Sequence, residues 1–381
     1  SGGAVNVPYA VNALEGLRAN HSITVNEELA AVYESWIAEH PFDDGGGGWA
    51  AEPWFQPEMP LADDVVRQAA AVSSKAVVFI GRTAGEDKDY ADSPGSYRLT
   101  ELETAMITAV AAHFAQVIIV LNTTNIIDMS WLDTIPGKES IKAVLYSWAA
   151  GMEAGHALAD VLTGVVSPSG RLAETIAYRL EDYPSAANFG STEFNCYAED
   201  IYVGYRYFET FNPAAVQYPF GAGLSYTRFE RESVCLTTEN IGVAKLLHVD
   251  ITVRNAGREY AGKDVVQLYC EAPQGRLGKP ARVLAGFAKT GTLQPGESET
   301  VRISVPFKSL ASYDDSGATG NRSCYVLESG EYRFYVGGSV RDAQPIDGTV
   351  ALEALVVTET LSEALAPIRD FERLKPGGRR T

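Results

Sequence analysis

The sequence predicts an α/β plus all-β protein, in which a doubly wound, mainly parallel α/β/α sandwich is followed by a β-sandwich. Three observations carry this prediction. The chain of 381 residues is longer than one ordinary hydrophobic core requires. Up to about residue 225, patterns typical of strands and helices alternate. After about Phe229, the chain instead shows short alternating strands separated by turn residues.

The first elements are predicted from apolar spacing. Apolar residues recur at helical spacing in three segments: residues 9–17, 27–38 and 63–72. Residues 76–80 form a short apolar, β-rich run bounded by Gly81, which is typical of a buried strand. The loop at residues 41–60 holds four consecutive glycines and Trp54, and loops of that length are usually functional or disordered.

The next elements repeat the alternation of strand and helix. Thr100 and Glu103 have the spacing of a capping box, which predicts that a helix starts there. Apolar runs predict buried strands at 117–121 and 143–146, and a helix over 153–162 is expected to stop at Gly164. Strands and helices in succession indicate parallel pairing with right-handed crossovers.

The last part is predicted to be a β-sandwich without a helix of useful length between residues 229 and 357. Apolar and polar residues alternate in four segments: 247–253, 264–268, 298–305 and 332–336. We therefore predict an α/β/α domain over 1–228, an all-β domain over 229–360, and a linker or tail over 361–381.

The charge balance narrows the classes of partner. With 31 basic and 49 acidic residues, the formal net charge is −18. This disfavours nucleic acid and anionic membranes, since both are polyanions. No apolar run approaches the roughly 18 residues that a membrane helix needs. An acidic surface suits a neutral substrate such as a sugar, and it equally suits ordinary solubility.

The cysteines and histidines predict neither a metal site nor a cofactor. Four widely separated cysteines contain no C-x-x-C pair, and the five histidines lie singly. Reduced thiols and the lack of a secretory signal near the start predict a cytoplasmic protein. The abrupt beginning at Ser1 suggests an upstream segment.

The candidate site is the acidic loop that leaves the strand at 76–80. It carries Glu86, Asp87 and Asp89 and lacks the order of a phosphate-binding loop. Ligands of open parallel sheets bind beyond the carboxyl ends of the strands. Neighbouring negative charges raise the pKa of a carboxyl group, which favours a general acid near neutral pH. A solvated acidic loop without catalytic function is the alternative that the residues alone leave open.

Three motifs make the sequence resemble glycoside hydrolase family 3, the β-glucosidase family. Gly151-Met-Glu-Ala-Gly-His-Ala-Leu-Ala-Asp-Val-Leu-Thr-Gly, followed by Ser167-Pro-Ser-Gly-Arg-Leu, is similar to the family's helix and turn ending in N-P-S-G-K-L. Asp200-Ile-Tyr-Val-Gly-Tyr-Arg-Tyr-Phe-Glu and Tyr218-Pro-Phe-Gly-Ala-Gly-Leu-Ser-Tyr-Thr are similar to the stretch that leads into its fibronectin-type-III-like domain. The resemblance covers nearly the whole chain and implies that the all-β domain is of this type.

The resemblance implies a retaining mechanism with two carboxylates. An Asp nucleophile lies on the family's barrel domain, and a Glu acid/base lies on a loop of the sandwich domain in a pattern like E-G-x-D-R. Glu86 and Asp89 match this pattern, whereas Asp87 and Tyr90 depart from it. Glu86 is therefore the predicted acid/base.

Three further residues are predicted to line the sugar site: Arg82, Asp89 and Trp54. Trp54 could stack on a sugar face or belong to a core.

The chain shows no eightfold strand–helix repeat, so the barrel is predicted to lie outside it. The expected function is part of a retaining β-glycosidase, most simply a β-glucosidase that hydrolyses terminal non-reducing β-linked sugars. The alternative is a carbohydrate-binding or structural module without hydrolase activity. Expected partners are a β-glucoside or related oligosaccharide or glycoside, and a (β/α)-barrel domain from the same gene product or another chain, with a homo-oligomer as an open alternative. A Rossmann-type nucleotide enzyme is disfavoured because no G-x-G-x-x-G follows a strand.

Overall fold

The structure is a computed structural model that describes residues 7–83, 89–241, 244–364, 366–369 and 371–376. The chain divides into two compact units, Ser1–Val165 and Val166–Thr381. Within the described ranges, no helix combines the length and the apolar composition that a membrane span requires.

A parallel sheet forms the centre of the first unit. It consists of β1 (Lys75–Gly81), β2 (Gln116–Asn122) and β3 (Ile141–Tyr146), in the order β1-β2-β3. Both strand pairs are parallel, which confirms the predicted pairing. The central strand β2 is the most buried, because four of its apolar side chains are inaccessible to solvent: Val117, Ile119, Val120 and Leu121.

Among the described residues of this unit, five α-helices accompany the sheet: α1 (Ala13–Ala19), α2 (Glu27–Glu39), α3 (Asp63–Val72), α4 (Glu101–His113) and α5 (Ala154–Thr163). The predicted positions agree within a few residues. The largest difference is at α1, which starts later than predicted because the Asn12 side chain caps it in a reciprocal box with Glu15. The predicted end of α5 is confirmed, with Gly164 in the left-handed region at φ 81°.

Helix α1 contacts α5 through two glycines. A Cβ atom on Gly16 would lie 2.1 Å from the backbone of Gly155, and one on Gly155 would lie 2.0 Å from the carbonyl oxygen of Asn12. The backbones therefore approach closely, and the Val11 and Gly155 main chains are hydrogen-bonded at 3.0 Å. A side chain at either glycine position would separate the two helices.

The second unit is dominated by antiparallel sheets. Two of these sheets are built from seven strands: β6 (Phe229–Ile241), β7 (Ala244–Asn255), β8 (Val265–Glu271), β9 (Val283–Lys289), β10 (Ser298–Pro306), β13 (Gly330–Gly337) and β14 (Gln344–Leu352). One sheet has the order β10-β7-β6 and the other has the order β14-β13-β8-β9. A third sheet pairs β12 (Cys324–Leu327) with β11 (Ser312–Asp314) and β15 (Val356–Thr360).

The core between these sheets follows from the alternation of apolar residues. Strands β7, β8, β10 and β13 contribute alternate side chains to one buried cluster, which includes Ile251, Leu268, Ile303 and Phe334. Between residues 229 and 357, the only helical turn in the described part is a 3₁₀ turn at Phe307–Leu310. The predicted fold class, an α/β/α sandwich followed by a β-sandwich, is confirmed.

Residues 166–228 lie in the second unit. They form β4 (Ile176–Ala177), α6 (Tyr205–Phe211) and β5 (Val216–Tyr218), with β4 and β5 paired antiparallel. A small core of Ala177, Phe208 and Val216 connects the three elements. The division by contacts thus falls after Val165, whereas the predicted domain boundary after residue 228 stays a prediction.

Candidate active-site loop

The candidate loop begins at the carboxyl edge of the parallel sheet. Gly81 at the end of β1 pairs with Asn122 at the end of β2, and Leu121 pairs with Tyr146 at the end of β3, so the three strands end together. The backbone N–H of Arg82 continues the pairing by donating to the carbonyl of Asn122 at 3.2 Å. This is the edge at which parallel sheets bind ligands.

The predicted acid/base Glu86 and its neighbour Asp87 lie outside the described residues. The structure therefore defines this loop through its two flanks, Arg82 and Thr83 on one side and Asp89 and Tyr90 on the other.

Arg82 connects the two flanks. Its side chain is inaccessible to solvent, and all five N–H groups of the guanidinium have acceptors. Nε donates to the carbonyl of Ser96 at 3.0 Å, Nη1 to the carbonyl of Gly81 at 2.7 Å, and Nη2 to the carbonyl of Arg98 at 3.1 Å. Nη1 and Nη2 also donate to the Glu103 carboxylate at 2.6 and 3.0 Å.

Glu103 links this pair to the first turn of α4. Its Oε2 accepts from the backbone N–H of Thr100 at 2.7 Å, while the Thr100 hydroxyl accepts from the Glu103 N–H at 3.1 Å. The capping box predicted from the sequence is therefore confirmed, and its carboxylate also neutralises Arg82. A buried bidentate pair of this kind fixes geometry, because removing either partner leaves the other charge uncompensated.

We predicted Arg82 as a residue that lines the sugar site. The structure places its guanidinium inside the loop base with every donor engaged, so the observed contacts position the loop. A contact between Arg82 and a sugar stays a prediction.

Trp54 lies beside the opposite flank. It is half-buried, its ring meets the ring of Tyr90 edge-on with centroids 5.2 Å apart, and its carbonyl accepts from the N–H of Thr83 at 2.9 Å. The Thr83 hydroxyl donates to the carbonyl of Pro53. The long loop at 41–60 is thus attached to the residue that follows Arg82, and Trp54 is near both flanks of the acidic loop.

Tyr90 brings an unsatisfied polar group to this region. Its hydroxyl is buried and has no hydrogen-bond partner among the described residues. Burial raises the pKa of Tyr90, an effect that the charge of Arg82 partly opposes. In the sequence, Tyr90 is a departure from the pattern E-G-x-D-R, and nothing in that pattern predicts its contact with Trp54.

The acids of the described flank differ in their surroundings. Asp89 is exposed to solvent. Asp92 pairs with Arg98 through two hydrogen bonds of 2.5 and 2.7 Å, on the return of the chain towards α4. The structure thus brings Arg82, Trp54 and the flank containing Asp89 together at one sheet edge.

Sequence reasoning missed one acid beside the Arg82–Glu103 pair. Glu58, on the loop at 41–60, is half-buried, and burial raises its pKa. Its Oε1 accepts from the N–H of Met59 at 2.8 Å, which partly offsets this effect, whereas the nearby charge of Glu103 adds to it. Its position behind a loop rich in glycine and tryptophan gave no periodic pattern from which this contact could be inferred.

Aromatic side chains occupy the same sheet edge at the end of β3. The rings of Tyr146 and Trp148 have centroids 4.3 Å apart, and Trp148 adopts a left-handed backbone conformation with φ 54°. The Tyr146 hydroxyl donates to the carbonyl of Asn125 at 2.6 Å. Non-glycine residues in this conformation are uncommon and often occur at functional sites.

The remaining polar groups of chemical interest are the metal-ligating side chains and the thiols. Among the described residues, no group of three or more His, Cys, Asp or Glu side chains is arranged to hold a metal ion. The four cysteines all lie in described ranges and are unpaired: Cys196, Cys235, Cys270 and Cys324. Burial raises the pKa of the Cys270 thiol to about 12, with a smaller effect of Glu271, so this thiol is unreactive at neutral pH.

Comparisons with known proteins identify the family. The C-terminal domain of glycosyl hydrolase family 3 matches residues 1–226, and a fibronectin type III-like domain matches residues 264–340. A β-glucosidase of Ruminococcus albus is 46% identical over 374 residues, which are 98% of this chain and 38% of that protein. β-Glucosidase A of Butyrivibrio fibrisolvens is 38% identical and is matched over 48% of its length.

Solved structures similar to this chain are also β-glucosidases. A β-glucosidase from Paenibacillus barengoltzii shares 58% identity and a TM-score of 0.96, covering 100% of this chain and 41% of that one. β-Glucosidase 3B from Thermotoga neapolitana, in complex with glucose, shares 34% identity and a TM-score of 0.79 over 93% of this chain and 48% of that one. The chain thus spans less than half the length of these relatives. The chain belongs to glycoside hydrolase family 3, of which it contains the C-terminal α/β domain and the fibronectin type III-like domain.

Proposed function

We propose that this chain is the non-barrel part of a retaining β-glucosidase and that it supplies the acid/base, Glu86. A (β/α)-barrel domain outside the chain supplies the Asp nucleophile. The observation that carries the proposal is the Arg82–Glu103 pair. It ties the residue before the acidic loop to the residues after it, at the carboxyl edge of a parallel sheet.

The relatives support the substrate class. Proteins that match this chain over nearly its full length are β-glucosidases. Each is more than twice as long as the region that matches, which leaves room for a barrel domain in those proteins. A terminal β-linked glucoside is therefore the proposed substrate.

The proposed chemistry needs one group that changes its protonation twice. In a retaining enzyme, the acid protonates the departing oxygen while the nucleophile forms a covalent glycosyl-enzyme. The same group, now a carboxylate, then takes a proton from the water that releases the sugar. The two carboxyl groups stand about 5 to 5.5 Å apart in such enzymes, so the loop that carries the acid must be accurately placed.

The residues around the loop support this placement. Trp54 and Tyr90 meet edge-on at the described flanks of the loop, and an aromatic ring at such a position can stack on a sugar ring. Asp89 is exposed to solvent, where its carboxylate can accept from sugar hydroxyls, and we retain it with Trp54 as a proposed substrate-binding residue.

The experiment uses a chimera in which this chain replaces the matched 41% of the Paenibacillus barengoltzii β-glucosidase. The activated leaving group of an aryl β-glucoside departs with little protonation of its glycosidic oxygen. The alcohol of an alkyl glucoside departs only if that oxygen is protonated. Glu86→Ala in the chimera is expected to lower kcat/KM for the alkyl glucoside by about 10²- to 10⁴-fold. The loss of glycosylation for the activated substrate should be smaller.

The matched control is Glu101→Gln, which changes an exposed glutamate on the first turn of α4. It should leave both substrates unaffected. The chain without the rest of the enzyme is expected to hydrolyse neither substrate. If Glu86→Ala keeps alkyl glucoside turnover within about twofold of the parent chimera, Glu86 is not the acid. An inactive parent chimera that still binds glucose would favour the carbohydrate-binding alternative.

A further inference from the structure

The loop at residues 41–60 carries a tryptophan that the proposed catalysis does not use. Trp49 is 64% exposed, and it is the one exposed tryptophan among the five of this chain, all of which lie in described ranges. Tryptophan side chains are highly buried on average, so a largely exposed one points to a binding role. We refer to residues 43–56 as the Trp49 loop.

Reciprocal hydrogen bonds close the Trp49 loop at its base. The N–H of Asp43 donates to Oε1 of Gln56 at 2.8 Å, and Nε2 of Gln56 donates to the carbonyl of Asp43 at 3.0 Å. Nearer the tip, the N–H of Ala51 donates to the carbonyl of Gly48 at 3.2 Å, which forms a turn around Trp49. The segment therefore has a defined backbone structure at its base and on both sides of the tryptophan.

Glycines allow this loop to fold back on itself. Gly45, Gly46 and Gly47 have positive φ angles of 65°, 84° and 74°, a region that residues with side chains rarely adopt. A Cβ atom on Gly45 would lie 2.0 Å from the carbonyl oxygen of Ala51, so the two arms of the loop pass in close contact. Trp49 lies in the short excursion that these two arms close, and the glycines thereby present its ring to solvent.

The Trp49 loop is anchored to both flanks of the acidic loop. On one side, the N–H of Thr83 donates to the carbonyl of Trp54 at 2.9 Å. On the other side, the Phe55 ring lies against the backbone of Gly95, where a Cβ atom would come within 2.1 Å of the ring. Trp54 is five residues from Trp49, which limits their backbone separation to at most about 18 Å even in an extended chain. Trp49 is therefore presented near the described flanks of the proposed site.

The surroundings of Trp49 favour a neutral sugar as its ligand. The carboxylates of Asp43 and Asp44 each accept the backbone N–H of the glycine two residues further on, at 2.8 Å, so these acids fix the turn. Their negative charges, together with that of Glu52, disfavour an anionic ligand. An exposed aromatic face beside them can stack on the apolar face of a pyranose ring.

We propose that Trp49 binds the leaving-group sugar of a β-linked glucose disaccharide. The terminal glucose lies at the acidic loop, and the second sugar stacks on the Trp49 ring. Because the ring belongs to a different segment from the acid/base, it selects the leaving group without taking part in proton transfer. The inference rests on the proposed function, since a leaving group exists only if the acidic loop belongs to a glycosidase. It narrows the substrate class to glucosides whose leaving group is itself a sugar.

Two substrates with equally poor leaving groups test this assignment in the Paenibacillus chimera. Cellobiose and methyl β-glucoside both release an alcohol that needs protonation, but only cellobiose releases a sugar. Trp49→Ala should lower the ratio of kcat/KM for cellobiose to that for methyl β-glucoside at least about fivefold. The change should appear in KM for cellobiose, because a contact made equally before and during the reaction alters KM and leaves kcat unchanged. Equal losses on the two substrates would show that the ring only supports the structure and would overturn the proposal.

Matched variants separate the ring from the loop that carries it. Trp49→Phe keeps an aromatic face and should recover most of the lost ratio, whereas Phe42→Ala removes a ring of similar exposure, 62%, just outside the loop and should not change the ratio. Gly45→Ala should displace the turn and lower the ratio as Trp49→Ala does. Gly48→Ala, whose Cβ would have its nearest neighbour at 3.4 Å, should not. A loss in Phe42→Ala as large as that in Trp49→Ala would contradict the assignment.

Direct binding keeps this inference separate from the proposed function. Isothermal titration measures Kd for cellobiose in the chimera carrying Glu86→Ala, with and without Trp49→Ala, and the second change should raise Kd at least about fivefold. If the parent chimera hydrolyses neither substrate but this difference in Kd is found, the catalytic proposal fails and the assignment of Trp49 stands. If the parent chimera is active but Kd is the same in both proteins, or cellobiose does not bind, the assignment of Trp49 fails.

Discussion

Replacing Arg82 by methionine should destabilise the first unit far more than any exposed charge change. Arg82→Met leaves the Glu103 carboxylate, whose side chain is 6% exposed, without its cation. It also removes the donors to three backbone carbonyls, those of Gly81, Ser96 and Arg98. Removal of one partner from a buried ion pair costs about 3 to 5 kcal/mol. We expect a loss in this range for the opening of β1 and α4.

The assay is native-state hydrogen exchange of the β1 and α4 amides, which reports local free energies of opening without assuming that the whole chain unfolds in one step. A loss of 3 to 5 kcal/mol accelerates exchange by roughly 10² to more than 10³-fold. The control is Arg67→Met, which removes an exposed i,i+4 pair with Asp63 on α3. Because that pair is exposed to solvent, its removal should accelerate exchange far less than Arg82→Met does.

A double variant examines the reason for the loss. Arg82→Met combined with Glu103→Leu removes both charges, so no buried carboxylate is left alone, and at least half of the lost stability should return. If Arg82→Met accelerates exchange no more than Arg67→Met does, the pair does not fix the loop base. If the double variant is as unstable as the sum of its single variants, charge compensation is not the cause.

Three further predictions concern other parts of the chain. Because burial raises the pKa of Glu58 above its ordinary 4.5, the folded state binds this proton more tightly than the unfolded state. The contribution of Glu58 to stability should therefore fall as the pH rises above 4.5. Glu58→Gln should raise Tm at pH 7 but not at pH 4. Gly16→Ala places a Cβ atom 2.1 Å from the backbone of Gly155, so it should lower the free energy of unfolding in urea by about 1 to 3 kcal/mol. The control Gly170→Ala, whose Cβ would have no atom within 4 Å, should leave this free energy unchanged. Asp314→Asn should lower the free energy of unfolding in urea by about 1 to 3 kcal/mol, because the buried Asp314 carboxylate accepts five hydrogen bonds.

Much of the fold can be predicted from the sequence, because each helix and strand depends mainly on residues that are close together in the chain. The strand at residues 117–121 is one apolar run, and the helix that begins after Thr100 carries its own capping box. The alternation along β10 places every second residue in the core. Such patterns depend on a few neighbouring residues, so a single sequence contains them.

Long-range contacts were not predictable in the same way. Arg82 and Glu103 are separated by 21 residues, and no periodicity connects them. The sequence located both residues, one as a sugar-lining candidate and one as a cap, but their pairing depends on how β1 and α4 approach in space. The edge contact of Trp54 with Tyr90 spans a loop without regular structure, so the same reasoning applies.

Residues 189–203 show a different limit of prediction from sequence. Residues 189–203 have the apolar content of a core segment, yet the structure leaves five of their large side chains exposed. Sequence patterns distinguish apolar from polar residues, but they do not reveal whether an apolar side chain is covered by its own unit or by another domain. The burial of Glu199, whose residue exposure is 8%, likewise depends on contacts that form only in three dimensions.

Azide rescue of Glu86→Ala tests the central claim most directly. Without its base, the chimera should accumulate the glycosyl-enzyme formed from an activated aryl β-glucoside, since water then lacks a group to accept its proton. Azide needs no base, so it should restore turnover and yield β-glucosyl azide, the product that retains configuration. Rescue with this product is the predicted result. A variant that turns over alkyl glucosides normally, or that forms no β-glucosyl azide with azide present, would contradict the assignment of Glu86 as the acid/base.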